Sequence, residues 1–277
     1  MSLAGTAKET LVIVEAGHYV SVAGVPVDIR ASIDAAVQGT RLFTPDDVNG
    51  LVASRPLAQG QRTARIEVAA ETTALAARRL GLEGEKRVLA LNFASAKNPG
   101  GGFLGGARAQ EEDLARCSAL YSCQLTQRAY YDANRATDSM LYTDHLIWSP
   151  GVPFFRDERL ELLDQPFLTS IVTSPAPNAG EALRRNVAAG PEIRATLERR
   201  AAHVLAVAAE CGHRVLVLGA WGCGVFRNDP REVSEVFDTC LSSLAFAGAF
   251  DRVVFAIPAR GASDRNLSAF RERFETR

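Results

Sequence analysis

The sequence has few cysteines, few histidines and no long apolar run. Its five cysteines are an odd number with no Cys-x-x-Cys pair, so neither a disulfide framework nor a zinc knuckle is expected. The four histidines show no ligand spacing, and we expect neither metal nor cofactor. No apolar run reaches the roughly 20 residues that span a bilayer, and Leu11–Val14, followed by Glu15 and His18, is too short for a signal peptide. These features favour a cytoplasmic protein without membrane contact.

The chain also lacks an excess of either charge. Lys and Arg number 31 against 32 Asp and Glu, which gives a net charge of -1 over 277 residues. A general polyanion-binding surface and direct DNA binding are therefore not expected, although a local basic groove is compatible with these numbers. Hydrophobic residues make up 47% of the chain, enough for a sizeable core.

Apolar strands alternating with helices indicate an α/β fold. The runs Arg87–Phe93, Arg214–Gly219 and Arg252–Ile257 have the length and apolar character of strands buried on both faces. Strands separated by helices need crossover connections, which predict a mostly parallel sheet between helices. Further strands are predicted over Arg65–Ala69, Leu141–Trp148, Val152–Phe155 and Phe167–Thr173, and helices over Ile29–Gln38, Thr72–Leu80, Gln110–Tyr131, Pro191–Cys211, Pro230–Ala247 and Ser263–Arg277.

The N-terminal part is less regular. Leu11–Val14 fits either a short strand or the last turn of a helix, and Pro45–Gly60 is polar and rich in turn residues. We predict a single structural domain in which residues 1–64 form an extension packed on the core formed by residues 65–277.

A glycine-rich loop follows the first apolar run. Asn98–Gly106 (NPGGGFLGG) has five glycines in seven positions, whose entropic cost must be offset by some gain. It is no Walker loop, because no Gly-Lys-Ser/Thr follows, and no dinucleotide fingerprint, because no helix starts within the glycines. A flexible surface loop is the alternative.

The acidic pair Glu111-Glu112 follows this loop in the first turn of a predicted helix. Negative charge there complements the helix dipole, which is the plain structural explanation. Neighbouring helix residues point about 100° apart, so the two carboxylates cannot flank one bond. We therefore expect the two glutamates to have different roles, one as a general acid/base and the other as a group that holds a sugar hydroxyl. An acid must carry a proton near neutral pH, which burial and a neighbouring carboxylate both favour.

A second loop, Gly219–Asn228, follows a buried strand and precedes a helix. Backbone N–H groups in such a loop suit a diphosphate, and Phe226 could stack on a ribose or base. The alternative is a tight turn with Phe226 in the core. Cys223 fits a small packing residue better than a nucleophile. Because both loops follow strands of one parallel sheet, we expect both at its carboxyl edge.

The two loops together resemble a known family. NPGGG, seven residues and then QEE are similar to the GGG-X(6–8)-QEE signature of poly(ADP-ribose) glycohydrolases of the bacterial type, and GAWGCGVF resembles the diphosphate-binding loop of macrodomains. The resemblance covers about residues 65–260. It implies a macrodomain-like three-layer α/β/α sandwich with a mixed, mostly parallel sheet, and hydrolysis of ribose–ribose O-glycosidic bonds in the DNA damage response. Exo-action with release of ADP-ribose is also implied.

The resemblance also implies residue roles. Glu112 would protonate the departing ribose oxygen and then activate water, while Glu111 would hold ribose hydroxyls. Partners would be poly(ADP-ribose), its ADP-ribose product and ADP-ribosylated proteins as carriers, with the enzyme a monomer. The implied substrate-binding residues are Asn98, Gly100, Gly101, Gly102, Gln110, Gly222, Cys223, Gly224, Val225 and Phe226.

Three other functions stay open. A hydrolase of mono-ADP-ribosylated proteins or O-acetyl-ADP-ribose shares the fold, but the QEE signature argues against it. A module that binds ADP-ribose without cleaving it needs the second loop and no acid/base pair. The second loop alone also fits a generic nucleotide-binding α/β protein.

Overall fold

The computed structural model describes residues 2–57, 64–259, 261 and 264–275. The helices are α1 Leu3–Ala16, α2 Arg30–Gly39, α3 Pro45–Ala53, α4 Thr73–Leu82, α5 Gln110–Cys117, α6 Leu120–Leu125, α7 Arg128–Arg135, α8 Ala179–Arg184, α9 Gly190–Glu210, α10 Pro230–Ser242 and α11 Arg265–Phe274. The strands are β1 His18–Val20, β2 Pro26–Asp28, β3 Arg41–Phe43, β4 Arg65–Ala69, β5 Val88–Phe93, β6 Leu146–Arg156, β7 Leu162–Ser174, β8 Val215–Leu218 and β9 Arg252–Ala256.

The main sheet is mixed and mostly parallel. Its seven strands lie in the order β3-β6-β7-β5-β8-β9-β4, and β1 and β2 form a separate antiparallel pair. The five strands from β7 to β4 run parallel to one another, whereas β6 is antiparallel to both β3 and β7. The predicted α/β architecture is confirmed.

Two apolar layers cover the sheet, one on each face. Leu89 and Leu91 of β5 belong to the core under α3, α9, α10 and α11. Val88 and Ala90, which alternate with them, belong to the core under α1, α2, α4, α5 and α6. The two-residue period of a strand thus makes β5 apolar on both faces, which is why RVLALNF reads as a continuous apolar run.

The long helix predicted over Gln110–Tyr131 is wrong. Ser118 has extended backbone (φ -147°, ψ 179°) and forms an isolated bridge with Phe154, so α5 ends at Cys117. Gln127 interrupts the helical backbone a second time, between α6 and α7. Each short helix keeps a buried side, so apolar spacing alone does not reveal the breaks.

Two other predictions need correction. The strands predicted over Leu141–Trp148 and Val152–Phe155 form one long strand, β6, which begins only at Leu146. Its register shifts between Ser149 and Val152 at a bulge. The turn-rich stretch predicted over Pro45–Gly60 contains α3. Thr44 and Asp47 form a capping box, in which each side chain accepts the backbone N–H of the other, and Pro45 is the first residue of the helix. The end of that stretch, residues 58–60, lies outside the described residues.

The N-terminal part contributes to the sheet and to its support. β3 pairs with β6 as an edge strand. Leu11–Val14, for which the sequence allows a strand or a helical turn, lies in the second half of α1. The division into an extension of residues 1–64 and a domain of residues 65–277 stays a prediction. Among the described residues, no helix combines the length and apolar character needed to cross a bilayer.

Candidate active site

Both glycine-rich loops begin at the same edge of the sheet, as predicted. β5 and β8 are neighbouring parallel strands, with Leu89 opposite Leu216. The chain leaves β5 at Phe93 toward the first loop and leaves β8 at Leu218 toward the second. This edge, at the carboxyl ends of parallel strands, is where open α/β sheets bind ligands.

The first loop packs directly against the acidic pair. Gly100 and Gly101 have positive φ values of 63° and 58°, and the Gly101 N–H donates to the Asn98 carbonyl over 3.0 Å. A Cβ on Gly101 would collide with Oε1 of Glu112 and lie 3.1 Å from Oε2 of Glu111. Glycine is therefore required at position 101 both by the backbone conformation and by the two carboxylates.

The Glu111 carboxylate is enclosed and held by three N–H donors. Its side chain is 2% exposed. Asn92 Nδ2 and Gln124 Nε2 donate to Oε1 over 3.0 and 2.8 Å, and the Ser95 N–H donates to Oε2 over 2.6 Å. A carboxylate accepts about four hydrogen bonds, so one position on Oε2 remains.

The pKa of Glu111 is raised to about 7. Burial is the main cause, because it penalises the charged form, and the neighbouring Glu112 acts in the same direction. The hydrogen bonds from Ser95, Asn92 and Gln124 oppose the rise. Glu111 thus changes its charge near neutral pH.

Glu111 is expected to make stability fall as pH rises. Its pKa in the folded chain, about 7, lies above its ordinary value of 4.5, so the folded state binds more protons between these pH values. The stabilisation is complete below that window and is lost as pH rises through 7, by up to about 3 kcal/mol. Urea unfolding from about pH 5 to pH 8 should show the free energy of unfolding of wild type falling relative to Glu111→Gln. Parallel curves for the two proteins would contradict the assignment.

The Glu112 carboxylate has one bound and one unbound oxygen. Oε1 accepts the Gly102 N–H over 2.9 Å. Oε2 is buried and has no hydrogen-bond partner among the described residues. A buried polar atom without a partner is costly, and one beside a glycine-rich loop at the carboxyl edge of the sheet marks a place where a substrate group can bind.

The Gln110 amide is engaged within the protein. Its Oε1 accepts the Phe93 N–H over 2.8 Å, and its Nε2 donates to the Leu91 carbonyl and to Thr73 Oγ1. These bonds fix the start of α5 against β5 and α4. The geometry therefore gives Gln110 a role in placing the two glutamates, whereas its predicted substrate contact stays a prediction.

Helix α1 supports α5 from behind. Thr10 Oγ1 donates to the Arg116 carbonyl over 2.7 Å, and the buried Arg116 guanidinium donates to the Ala107 carbonyl and to Asp113. Gly106 lies against the Ala4 backbone, where a Cβ would come within 3.2 Å of the amide nitrogen. The N-terminal helix thereby fixes the far side of the glycine loop.

The second loop presents free backbone donors. In the part of the chain that the structure describes, the N–H groups of Gly224, Val225 and Phe226 have no protein acceptor. The buried Asn228 amide donates to the carbonyls of Gly222 and Pro177 and closes the loop. Consecutive unpaired N–H groups suit the oxygens of a diphosphate.

Two side chains of this loop have different surroundings. The half-buried Phe226 ring packs against Tyr142, with ring centroids 5.9 Å apart. Phe226 also packs against the apolar core on one face of the sheet. Burial raises the pKa of the Cys223 thiol, which therefore stays neutral and is a poor nucleophile. This agrees with a packing role for Cys223.

Sequence reasoning missed several residues of the site. Asn92 is a polar residue within an apolar strand, and this signal could have identified it. Ser95 acts through its backbone, and Gln124 lies in a segment predicted as part of one long helix, so neither was identified. Within the described ranges, no three His, Cys, Asp or Glu side chains come together as a possible metal site.

The sheet order and the two glycine-rich loops at its carboxyl edge define a macrodomain-like α/β protein. The family model for the microbial-type PARG catalytic domain matches residues 7–157, more than half of the chain. The chain belongs to this family of poly(ADP-ribose) glycohydrolases, and it is a glycoside hydrolase. No curated protein matches.

Solved structures agree with this family. Poly(ADP-ribose) glycohydrolase from Thermomonospora curvata is 45% identical with a TM-score of 0.94, covering 98% of this chain and 99% of that chain. A structure of it bound to the inhibitor ADP-HPD is 45% identical with a TM-score of 0.92 and the same coverage. The Deinococcus radiodurans enzyme in complex with ADP-ribose is 47% identical with a TM-score of 0.81, covering 88% of this chain and 97% of that chain.

Proposed function

We propose that the chain releases ADP-ribose from the ends of poly(ADP-ribose), with Glu112 as the general acid/base. The observation that carries this proposal is the buried Oε2 of Glu112, which has no hydrogen-bond partner among the described residues. In the first step, this carboxyl gives its proton to the departing ribose oxygen as the bond to the anomeric carbon breaks. The resulting carboxylate then takes a proton from the water that attacks that carbon, which returns Glu112 to its starting state.

Glu111 holds the reacting ribose in this proposal. Its one remaining lone-pair position accepts a ribose hydroxyl, while three N–H groups fix its orientation. The glycine loop lines the same ribose through Asn98 and the backbone of Gly100, Gly101 and Gly102. Because Gly101 lies against both carboxylates, a ribose on the loop is within reach of both.

The second loop binds the diphosphate. Its unpaired N–H groups at Gly224, Val225 and Phe226 supply donors without requiring a cationic side chain. Gly222 allows the turn through its φ of 72°. The loop thus fixes the ADP side of the substrate while the acidic pair acts on the ribose bond.

Removal of the Phe226 ring should weaken binding of ADP-ribose. Phe226→Ala is expected to raise the Kd about tenfold, equivalent to about 1.4 kcal/mol, because the ring no longer packs against the ribose. Leu183→Ala is the matched control, since Leu183 is exposed on neighbouring α8. Calorimetric titration with ADP-ribose measures both. Equal affinities of Phe226→Ala and wild type would exclude Phe226 from the binding site.

Polymer labelled at one end distinguishes release from the ends and internal cleavage. Exo-action predicts free ADP-ribose from the earliest time points, with the polymer shortening gradually. Early accumulation of medium-length oligomers, with little free ADP-ribose, would overturn exo-action and indicate internal cleavage.

We also propose that the enzyme acts as a monomer in the cytoplasm, on polymer attached to carrier proteins and without binding DNA. The five cysteines are free thiols, as in proteins of reducing compartments. The net charge of -1 provides no general attraction for DNA.

A further inference from the structure

The buried side chain of Gln124 connects the two parts of the active site. Gln124 lies on α6 and is 0% exposed. Its Nε2 donates to Glu111 Oε1 over 2.8 Å, and its Oε1 accepts the Gly100 N–H over 2.8 Å. One amide therefore joins the acidic pair to the first turn of the glycine loop.

The amide of Gln124 satisfies the hydrogen-bonding needs of both Glu111 and Gly100. Glu111 offers an acceptor and Gly100 a donor, so the joining side chain must present one N–H and one oxygen in a fixed geometry. An apolar side chain of similar size would leave both partners unsatisfied. A glutamate would still accept the Gly100 N–H but would bring a second negative oxygen to Glu111.

The break between α5 and α6 makes this contact possible. In one continuous helix, Glu111 and Gln124 would lie about 20 Å apart along the axis, at 1.5 Å per residue. The extended backbone of Ser118 and its bridge to Phe154 end α5 and let the chain turn back. The break at Ser118, which makes the prediction of one long helix wrong, thus brings Gln124 to Glu111.

We propose that Gln124 is a positioning residue that holds the Glu111 carboxylate and the Gly100 turn in one fixed arrangement around the ribose. The inference rests on the proposed function of Glu111 as the group that holds a ribose hydroxyl. Gly100 precedes Gly101, which touches both carboxylates, so a shift of either partner of Gln124 moves the surface that contacts the sugar.

Gln124→Glu tests this role selectively, because it keeps the acceptor for Gly100 and removes the donor to Glu111. We expect kcat/KM on poly(ADP-ribose) to fall about 10- to 100-fold at about pH 8, because Glu111 is displaced. At about pH 6 the loss should be smaller, since two adjacent carboxyl groups can then share a proton. Gln127→Glu, which makes the same change at a half-buried glutamine bonded to Thr40 and Thr126, should match wild type.

Other ionisable groups near Glu111 do not produce this difference. Glu112 is present in every protein compared, so its effect cancels. Tyr130 and Tyr131 on α7 are also close enough to Glu111 to interact with its charge. Burial raises the pKa of both hydroxyls, so they stay neutral between about pH 6 and about pH 8. A pH-dependent loss of kcat/KM that occurs only in Gln124→Glu therefore reports the new pair of carboxyl groups at positions 111 and 124.

The double variant Glu111→Gln with Gln124→Glu reverses the amide–carboxylate pair. Gln124→Glu should lower the unfolding midpoint in urea, and the double variant should recover part of that loss, because Asn92 also donates to the oxygen of residue 111 that faces residue 124. Its kcat/KM should equal that of Glu111→Gln alone. Additive losses in the double variant, or wild-type kcat/KM of Gln124→Glu at both pH values, would overturn the positioning role. If wild type releases no ADP-ribose, the proposed function fails, whereas the urea midpoints still test the coupling of Gln124 to Glu111.

Discussion

Replacing Glu112 by Gln is expected to lower kcat on poly(ADP-ribose) by about 100- to 10,000-fold. Gln keeps the shape of the side chain and an oxygen for the Gly102 N–H, but it cannot give and retake a proton. Binding of ADP-ribose should change little, because the reaction loses a proton donor while Gly219–Asn228, the loop proposed to bind the diphosphate, is untouched. Steady-state kinetics and calorimetric titration of the same preparation separate these two quantities.

Glu158→Gln is the control for this substitution. Glu158 is exposed in the turn between β6 and β7, at the opposite edge of the sheet from the two glycine-rich loops. The same chemical change there should leave kcat at the wild-type value. Turnover of Glu112→Gln close to that of wild type would remove Glu112 from the acid/base role.

Substitution of Gly101 by Ala is expected to damage both stability and catalysis. The residue has a φ of 58°, which costs a residue with a Cβ about 1–2 kcal/mol, and the new methyl group collides with Glu112 Oε1. We expect the free energy of unfolding to fall by about 1–3 kcal/mol. Displacement of the carboxylates should lower kcat/KM about 100-fold.

Gly105→Ala distinguishes this effect from a general intolerance of the loop. A Cβ on Gly105 would meet no atom within 4 Å. Its φ also lies outside the positive range. Urea unfolding and polymer hydrolysis should therefore be close to wild type for Gly105→Ala. Equal losses in both variants would contradict a specific contact between Gly101 and the acidic pair.

The sheet could be predicted from the sequence wherever a strand is buried on both faces. β5, β8 and β9 are continuous apolar runs, and their predicted bounds differ from the observed ones by about one residue. β3 is three residues long and forms only an edge, so its apolar pattern is too short to recognise. The sequence predicts two strands where β6 is continuous, because Pro150-Gly151 is a common turn sequence and here lies within the bulge.

The site could be predicted only as far as its residues are contiguous. Glu111, Glu112 and the two glycine loops occupy short segments with recognisable spacing, and the parallel sheet brings those segments to one edge. Gln124 reaches Glu111 through a chain reversal at Ser118, which depends on a bridge to Phe154 far along the sequence. Local propensity carries no information about such a long-range contact.

The most direct test of this account is the release of ADP-ribose from poly(ADP-ribose) by the purified wild-type chain, in EDTA, resolved by chromatography. Hydrolysis at an acid/base carboxyl predicts that free ADP-ribose accumulates with time and that Glu112→Gln produces almost none. If wild type binds ADP-ribose at micromolar affinity but leaves the polymer intact, the catalytic account is wrong.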